Sequence, residues 1–293
     1  MLELISLRTF KVVVDEGGIL SASRKLNTVQ SNVTTRVKRL EEELNSELFY
    51  RKGRGLTLAP AGRVLYDYAC QILQLETQAG VAVRQVGEQS GELRIGAMET
   101  FASFRLAPAL KHLKQAHKGV DLRVETDTSS SLIERVLQHK LDCAFVAGSV
   151  DQEELLVCDI GREELVLVHA KHNEPKSQLI LFREGCAYRA RALAWRRERG
   201  QQVSEVMELG TLDGILGCVS VGLGCTLLPS WVVAQSHYAD DLIVEQIPPY
   251  LAMVQTVMIR HKQGVPMVAM ETLAQAVVES TENTIAAARL KTA

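Results

Sequence analysis

Residues 30–40 read Gln30-Ser31-Asn32-Val33-Thr34-Thr35-Arg36-Val37-Lys38-Arg39-Leu40, and this stretch decides how the first part of the chain folds. Val33, Val37 and Leu40 recur at helical spacing, which predicts an amphipathic helix over residues 30–43. The opposite face is polar and basic. Amide, hydroxyl and guanidinium groups on one helix face can contact base edges and phosphates in the major groove of DNA. A solvated surface helix carries the same groups, so this composition alone leaves both interpretations open.

Shorter helical patterns precede this helix, and a hairpin pattern follows it. Apolar residues at helical spacing run from Leu7 to Leu26 and are interrupted by Gly17-Gly18. After Leu48-Phe49, residues 51–58 predict two short strands around a basic, glycine-rich tip. Three helices followed by such a hairpin predict a winged helix-turn-helix.

Pro60 opens a longer helical pattern whose apolar residues alternate in spacing between three and four positions. Such heptad spacing is typical of a helix that pairs with a second helix along its length. The alternative is one amphipathic helix packed on its own domain. The predicted dimerisation seam consists of Leu65, Tyr68, Ile72, Leu75 and Ala79.

From residue 91 the pattern changes to alternating strands and helices, which is typical of a parallel sheet with helical crossovers. Predicted strands cover residues 92–96, 121–126, 143–146, 164–170, 179–182, 224–228 and 255–259, and predicted helices cover residues 106–117, 131–138, 188–200 and 212–221. The uncharged segment 214–239 is long enough to suggest a membrane span. Gly222, Gly224 and Pro229 interrupt it, so we predict buried helix, turn and strand instead, and no membrane association.

Charge and motifs narrow the functional classes. The net charge is −2, but residues 1–63 contain 11 Lys and Arg against 7 Asp and Glu, so a positive face is available there. The early Glu3 and the lack of a sustained apolar run argue against a secretory signal, so a cytoplasmic location is expected. The six cysteines form no C-x-x-C pair, and no catalytic motif is present. We therefore expect no metal, no cofactor and no enzymatic activity.

The first 65 residues resemble the bacterial LysR-type transcriptional regulators. The matching residues are Leu7-Arg8-Thr9-Phe10, Gly17, Ala22, Leu26, Gln30-Ser31-Asn32-Val33-Thr34, Lys38-Arg39-Leu40-Glu41, Leu44, Leu48-Phe49, Arg51, Leu58 and Pro60-Ala61-Gly62. The resemblance implies that Gln30, Ser31, Thr34 and Arg36 lie on a recognition helix, and that Arg51 and Arg54 lie on the wing near the DNA backbone. The exposed face of the helix adds Asn32, Thr35 and Lys38 to the candidate DNA contacts.

Three positions depart from the family pattern. Gly18 stands where serine is common, Val29 stands where a capping serine is usual, and Ala59 replaces a threonine before Pro60. Neighbours such as Thr28 and Thr57 could supply the missing helix caps. These departures leave the preferred base pairs open.

The remainder resembles the effector module of this family, anchored by residues 91–96, 141–144 and 222–229. The implied fold class is α/β: an N-terminal all-α winged helix-turn-helix, a long linker helix, and a two-subdomain module that resembles periplasmic binding proteins. We expect the DNA-binding domain at 1–60, the linker and dimerisation helix at 61–90, and the effector-binding domain at 91–293. Within that domain, subdomain one is 91–165 plus 265–293, subdomain two is 166–264, and two crossing strands form a hinge.

A ligand in such a cleft is held where strands end and helices begin, because free backbone N–H groups and short hydroxyls gather there. Thr100, Ser129 and Ser130 are the main candidates for effector contacts, with Cys186 and Thr226 added. The alternative for each serine or threonine is a plain helix cap.

The expected function is a transcription regulator with double-stranded promoter DNA, a small-molecule effector and a second copy of itself as partners. The family also implies a tetramer, and RNA polymerase is a further candidate partner. Two alternatives stay open: a redox-responsive regulator that uses Cys186, and a solute-binding or enzymatic α/β protein with an N-terminal interaction domain.

Overall fold

A computed structural model describes residues 2–52, 55–85, 91–172, 178–200, 206–264 and 267–291. The chain divides into two compact units, Met1–Val86 and Gly87–Ala293. We call them unit 1 and unit 2 and describe each by itself.

Unit 1 begins with three helices, α1 (Leu4–Asp15), α2 (Ile19–Lys25) and α3 (Gln30–Leu44). The predicted apolar stripe of α3 is confirmed, since Val33, Val37 and Leu40 are buried. Leu40 packs with Leu7 and Phe10 of α1, while Val33 and Val37 pack around Ala22 of α2. This packing leaves the other side of α3 at the surface.

The hairpin follows α3 as predicted, with β1 (Phe49–Lys52) antiparallel to β2 (Gly55–Leu58). A carboxylate oxygen of Glu41, on α3, accepts the backbone N–H groups of Leu48 and Phe49 at 2.9 and 3.3 Å. The hairpin is thereby tied to the last turns of α3. Gly62 supports the same corner, because a Cβ atom there would collide with the backbone carbonyl of Leu48.

Helix α4 (Pro60–Gln85) corrects part of the predicted dimerisation seam. Leu65 is only 8% exposed and packs with Ala69 and Leu73 in the core that α1 and α3 share. Ile72 is half-buried against the same core. The predicted seam combined residues from two faces of α4. One apolar face packs on unit 1 itself, so only the other face is available to a second helix.

Unit 2 is an α/β module. Its strands are β3 (Gly91–Ala97), β4 (Val120–Thr126), β5 (Cys143–Ala147), β6 (Leu155–Ala170), β7 (Leu179–Leu181), β8 (Val206–Glu208), β9 (Thr226–Pro229), β10 (Leu242–Gln246) and β11 (Met253–His261). Its helices are α5 (Glu99–Phe101), α6 (Ala107–Ala116), α7 (Ser129–Leu137), α8 (Ala187–Glu198), α9 (Leu212–Ser220), α10 (Ser230–Gln235), α11 (Pro249–Ala252) and α12 (Val268–Lys291). A π-helical turn, Ala102–Leu106, joins α5 to α6, and a 3-10 turn, Ala239–Asp241, precedes β10.

The sheet is mixed rather than purely parallel, which differs from the prediction. Strand β3 pairs in parallel with β4 and β5, and β7 pairs in parallel with β8. Strand β11 is antiparallel to both β5 and β6, and β6 is antiparallel to β9 and β10. The antiparallel pair arises because the chain crosses between the two subdomains twice, outward along β6 and back along β11.

Strand β6 is one of the two crossing strands for which a hinge is predicted, and we call it the hinge strand. Residues from Leu155 to Glu164 pair with β11, and from Leu165 onward the strand pairs with β9 and β10. Sequence periodicity indicated only residues 164–170, since the first half of β6 is largely exposed and carries no regular apolar alternation. The pairing partner therefore changes between Glu164 and Leu165.

The uncharged segment 214–239 forms the predicted helix, turn and strand. It contains most of α9, a turn in which Gly222 has a φ of 76°, the buried strand β9 and helix α10. Among the described residues, no helix combines the length and apolar character needed to cross a membrane.

Candidate nucleic-acid interface and ligand cleft

Helix α3 presents a continuous polar edge to solvent. Ser31, Thr35 and Lys38 are exposed and lie three or four residues apart, and Gln30 is exposed at the start of the helix. Residues at this spacing share one helix face. The face is opposite the buried stripe, so donors and acceptors project where an approaching DNA groove would meet them.

Several candidate contacts on α3 are also held by the protein itself. The Thr34 hydroxyl donates to the Gln30 carbonyl at 2.9 Å, and the Asn32 amide donates to Thr28 at 3.2 Å. Val29 supplies no side-chain cap to α3, and the Thr28 hydroxyl contacts the Asn32 side chain. Thr34 and Asn32 therefore have local partners that DNA would have to share or replace.

Two of the basic residues of α3 contact other protein side chains, and the third is exposed. Arg36 is half-buried and its guanidinium donates to Thr9 of α1 at 3.3 Å, so it helps to hold α3 against α1. Arg39 forms ion pairs with Glu3 at 2.8 Å and Glu43 at 3.3 Å. Lys38 is exposed and makes no ion pair within the residues that the structure describes. Lys38 is therefore the cation on α3 that could contact a phosphate without breaking an ion pair that the structure shows.

The two predicted wing residues, Arg51 and Arg54, follow α3 in the chain. The backbone of Arg51 lies in β1, whereas its side chain and the whole of Arg54 lie outside the described part of the structure. Their expected contacts with the DNA backbone stay predictions.

An exposed apolar stripe runs along α4 on the side away from the core of unit 1. Val64, Tyr68, Leu75 and Val83 are between 58% and 73% exposed. Ala79 is exposed on the same side. Of the predicted seam, Tyr68, Leu75 and Ala79 are available to a second helix, whereas Leu65 is not.

A cleft lies in unit 2 where strands end and helices begin. Its lining residues come from both subdomains: Met98, Glu99, Thr100, Thr126, Asp127, Thr128, Ser129, Phe182, Arg183, Cys186, Ala187, Tyr188 and Gly210. The structure therefore brings together three predicted effector contacts, Thr100, Ser129 and Cys186. Glu99, Asp127, Phe182 and Tyr188 join them, although sequence analysis did not select these residues.

Two predicted effector contacts lie outside this cleft. Ser130 is exposed, and its backbone N–H donates to the Gly185 carbonyl at 3.2 Å. Thr226 is 1% exposed in β9, where it is paired with Val168 of β6. Burial within the sheet argues against a ligand contact for Thr226. Ser130 lies beside Gly185, and its contact with an effector stays a prediction.

Contacts across one edge of the cleft link the subdomains. Arg183, in the loop after β7, lies 3.8 Å from Asp127, in the loop after β4. Gly185 has a φ of 88°, and a Cβ atom there would lie 2.8 Å from the Thr128 hydroxyl. Only glycine adopts this backbone conformation without strain, so close contact of the two loops depends on Gly185.

A buried polar network connects the cleft to the hinge strand. Glu163 of β6 forms an ion pair with Arg105 at 3.1 Å, and each side chain is 2% exposed. The Tyr188 hydroxyl donates to the second Glu163 oxygen at 2.5 Å. The Arg105 guanidinium carbon lies 4.3 Å from the ring centroid of Trp231, a geometry that permits a cation–π interaction. The network thus joins the π-helical turn, the hinge strand, α8 and α10.

The environment of Cys186 does not favour a redox role. Burial raises the pKa of its thiol, and the opposing effects of the Arg189 and Tyr188 backbone N–H groups and of the Arg189 charge are smaller. A thiol, rather than the reactive thiolate, is therefore the form near neutral pH. None of the six cysteines is in a disulfide, and no metal-binding group of three His, Cys, Asp or Glu side chains occurs among the described residues.

Two family models match the chain. Residues 4–63 match the model described as "Bacterial regulatory helix-turn-helix protein, lysR family", and residues 87–282 match the model described as "LysR substrate binding domain". The first match contains α3 and the hairpin, and the second contains the cleft.

Curated relatives of the chain are transcriptional regulators. The chain is 36% identical over 264 residues to the HTH-type transcriptional regulator GltR of Bacillus subtilis (strain 168), covering 87% of this chain and 89% of that protein. It is 36% identical over 268 residues to the HTH-type transcriptional regulator CzcR of Bacillus thuringiensis subsp. konkukian (strain 97-27), covering 90% and 92%.

Structural likeness extends over both units. Full-length OxyR from Pseudomonas aeruginosa has a TM-score of 0.67 at 19% identity, covering 94% of this chain and 95% of that chain. Full-length CbnR in complex with its target DNA has a TM-score of 0.65 at 19% identity, covering 95% and 100%. At these identities the likeness shows the fold. Together with the family models and the relatives, it establishes that the chain belongs to the LysR family of DNA-binding transcriptional regulators.

Proposed function

We propose that the polar edge of α3, formed by Gln30, Ser31, Thr35 and Lys38, is the surface that reads promoter DNA. The observation that carries this proposal is the orientation of α3, which buries its apolar stripe and leaves these side chains free at the surface. Hydroxyl and amide groups can read base edges, while a lysine contacts phosphate. Arg36 contributes mainly by holding α3 against α1, and Arg51 and Arg54 would add backbone contacts from the wing.

We infer that two copies pair along α4. The exposed Val64, Tyr68, Leu75 and Val83 form an apolar stripe that a second helix would remove from water. Pairing would present two copies of α3, as palindromic operators require. We propose residues 1–60 as the DNA-binding domain, 61–90 as the linker and dimerisation helix, and 91–293 as the effector domain with the subdomain boundaries given above. A tetramer would require further contacts between effector domains.

The cleft in unit 2 is the proposed effector site, with Thr100, Ser129 and Cys186 among its contacts. A ligand that binds one arrangement of the two subdomains more tightly shifts the protein toward that arrangement. Because β6 and β11 connect the subdomains, such a shift would change the angle at the hinge. The change would then alter the arrangement of paired DNA-binding units. We propose a regulatory rather than a catalytic role, in the cytoplasm, with RNA polymerase as a candidate partner.

The DNA-binding proposal is tested with the full-length protein and genomic fragments that it selects at low ionic strength. Ser31→Ala and Thr35→Ala should relax base preference, with losses of about 1–3 kcal/mol on the selected sites if they contact bases. Lys38→Ala should weaken binding to all fragments and reduce the slope of log affinity against log salt by about 1.

Arg39→Ala is the matched control, because Arg39 is a cation on the same helix that is already paired with Glu3 and Glu43. It should change the salt slope less than Lys38→Ala does. Failure of the parent to bind genomic fragments, or an unchanged slope for Lys38→Ala, would contradict this assignment of α3.

A further inference from the structure

One side chain of α3, Glu41, organises the passage of the chain from α3 into the hairpin. Its carboxylate oxygen Oε1 accepts the backbone N–H groups of Leu48, at 2.9 Å, and of Phe49, at 3.3 Å. Its backbone carbonyl accepts the N–H group of Ser46 at 3.1 Å. Glu41 therefore binds backbone N–H groups at both ends of residues 46–49, where the chain leaves α3 and enters β1.

A tight turn at the end of α3 makes these contacts possible. Asn45 follows the helix with a φ of 47°, in the left-handed region, and its N–H group donates to the Glu42 carbonyl at 3.2 Å. Asparagine is one of the few residues that adopt this backbone conformation readily. The turn brings Leu48 back beside the last turns of α3, where the Glu41 carboxylate reaches its N–H group.

The backbone of Leu48 is also fixed from the side of α4. Its carbonyl oxygen accepts the N–H group of Ala59, the residue that precedes α4, at 2.9 Å. Gly62, in the first turn of α4, leaves room for this carbonyl, because a Cβ atom there would collide with it. The N–H group of Leu48 is thus held by α3 and its carbonyl group by α4, so this residue connects the two helices.

Apolar packing by itself does not fix the angle between α3 and α4. Leu40 of α3, Leu48 and Leu65 of α4 share one core, but burial of apolar surface has no preferred direction. Hydrogen bonds weaken steeply as their distance and angle change. Those that a charged carboxylate accepts are also stronger than those between neutral groups. The contacts of Glu41 therefore form a directional link between α3, the base of the hairpin and the start of α4.

We propose that Glu41 is a positioning residue for DNA recognition, which fixes the orientation of α3 relative to α4 and so sets the spacing of the two DNA half-sites. The angle between the reading helix α3 and the pairing helix α4 determines the distance between the two copies of α3 in a dimer. Such a dimer binds best to half-sites that match this distance. Glu41 acts through the backbone of Leu48 and does not itself contact DNA. This inference rests on the proposed functions of α3 and α4.

Binding of the full-length protein to DNA of altered half-site spacing tests this role. A genomic fragment that the parent selects is footprinted to locate the half-sites and is then prepared with one base pair inserted or removed between them. The parent should bind the altered fragments about tenfold or more weakly, because one half-site is displaced and rotated relative to the other. Glu41→Ala should bind the natural fragment about tenfold more weakly than the parent does. The altered spacing should cost this variant less than about threefold in affinity.

Glu42→Ala is the matched control, because it removes the same carboxylate from the next residue of α3, where the side chain is exposed. Both variants change the net charge equally, so they share any general effect of charge on DNA affinity. The control should keep the spacing preference of the parent. Glu41→Gln keeps an acceptor oxygen at the same reach and should also keep this preference. Glu41→Asp keeps the charge, but its carboxylate is one methylene shorter, so the preference should be lost.

The melting temperature reports whether each variant folds, and a purely structural role of Glu41 would lower stability without changing the spacing preference. If Glu41→Ala does not fold, the comparison of Glu41→Gln with Glu41→Asp decides, and equal spacing preference in these two would overturn the inference. A parent that binds all spacings equally would overturn the proposed pairing along α4 together with this inference. A parent that requires one spacing, and a Glu41→Ala variant that requires it as strictly as Glu42→Ala does, would overturn this inference alone.

Discussion

Among single residues, Arg105 and Glu163 lie in an environment where a substitution should lower the free energy of unfolding strongly. Both are almost completely buried, and their ion pair lies where β6 changes pairing partners. Removing one member of such a pair leaves an uncompensated charge in the interior, which typically costs about 3–5 kcal/mol. An exposed ion pair of similar length contributes about 1 kcal/mol or less, because water and salt screen it.

We therefore expect Glu163→Gln to lower the free energy of unfolding by about 3 kcal/mol. The matched control is Glu92→Gln, which removes the same carboxylate from an exposed pair with Arg123 at 2.6 Å. That substitution should lower the free energy of unfolding by about 1 kcal/mol or less. Urea unfolding followed by circular dichroism measures both, and equal losses would argue against a buried network at the hinge.

Gly185 offers a second residue-level prediction. Gly185→Ala introduces a side chain at a φ of 88° and against the Thr128 hydroxyl, so it should lower stability by about 1–3 kcal/mol. Gly200→Ala is matched in backbone strain, with a φ of 66°, but its Cβ would meet no atom within 4 Å. Differential scanning calorimetry should show a larger loss for Gly185→Ala. An equal loss of stability in Gly200→Ala would show that the contact between the two loops does not contribute measurably to stability.

At the level of whole elements, α4 performs two packing tasks on two faces. Leu65, Ala69 and Leu73 fill the core of unit 1, while Val64, Tyr68 and Leu75 face solvent. An isolated apolar stripe of this kind on a surface helix is typical of an interaction site. The two faces can therefore be tested separately with the same substitution.

Leu65→Ala should destabilise unit 1 by about 2–4 kcal/mol, because it leaves a cavity in a packed core. Leu75→Ala removes the same atoms from a side chain that is 66% exposed, so its effect on intrinsic folding should be about 0.5 kcal/mol or less. Instead it should weaken self-association. Sedimentation equilibrium over a concentration series measures the dissociation constant, and thermal unfolding at one low concentration, where the protein is monomeric, measures intrinsic stability. An unchanged dissociation constant for Leu75→Ala would contradict pairing along α4.

At the scale of the whole molecule, stability should depend on pH through a pair of histidines in unit 2. The rings of His139 and His261 have centroids 4.0 Å apart and are both buried. Burial, and then the charge of His261, lower the pKa of His139 to about 4, and burial lowers the pKa of His261. Folding therefore favours the neutral form of both rings.

The sign of the pH effect follows from proton binding. Between about pH 4 and 6.5 the unfolded chain binds a proton at His139 that the folded chain does not, so stability falls as the pH falls through this range. We expect His139 to account for a loss of about 1–2 kcal/mol at about pH 5 relative to about pH 7. Comparing His139→Gln with the parent by urea unfolding at the two pH values measures this share. A variant with the same pH slope as the parent would contradict it.

Much of the architecture could be predicted from local patterns. The three-residue and four-residue spacing of Val33, Val37 and Leu40 defined α3 almost to its ends, and Pro60 marked the start of α4. Strands β3, β4 and β5 also lay close to their predicted bounds. Such elements are local, because the period of apolar residues depends only on the geometry of a helix or strand.

The candidate site was predicted less completely. Thr100, Ser129 and Cys186 follow strands or precede helices, which is a signal visible in the sequence, and the structure gathers them in one cleft. The Tyr188 role was missed because its partner, Glu163, lies on a strand 25 residues earlier and has no sequence link to it. Thr226 was selected wrongly, because burial within a sheet depends on which strands become neighbours.

The amino-acid sequence alone therefore determined the type and order of the elements and the polar character of α3. Tertiary structure alone decided which face of α4 is buried, that β6 and β11 run antiparallel, and which hydroxyls meet in the cleft. The physical reason is that the period of apolar residues is set by backbone geometry over a few residues. Burial and hydrogen-bond direction depend instead on partners that are distant along the chain, and only packing brings these partners together.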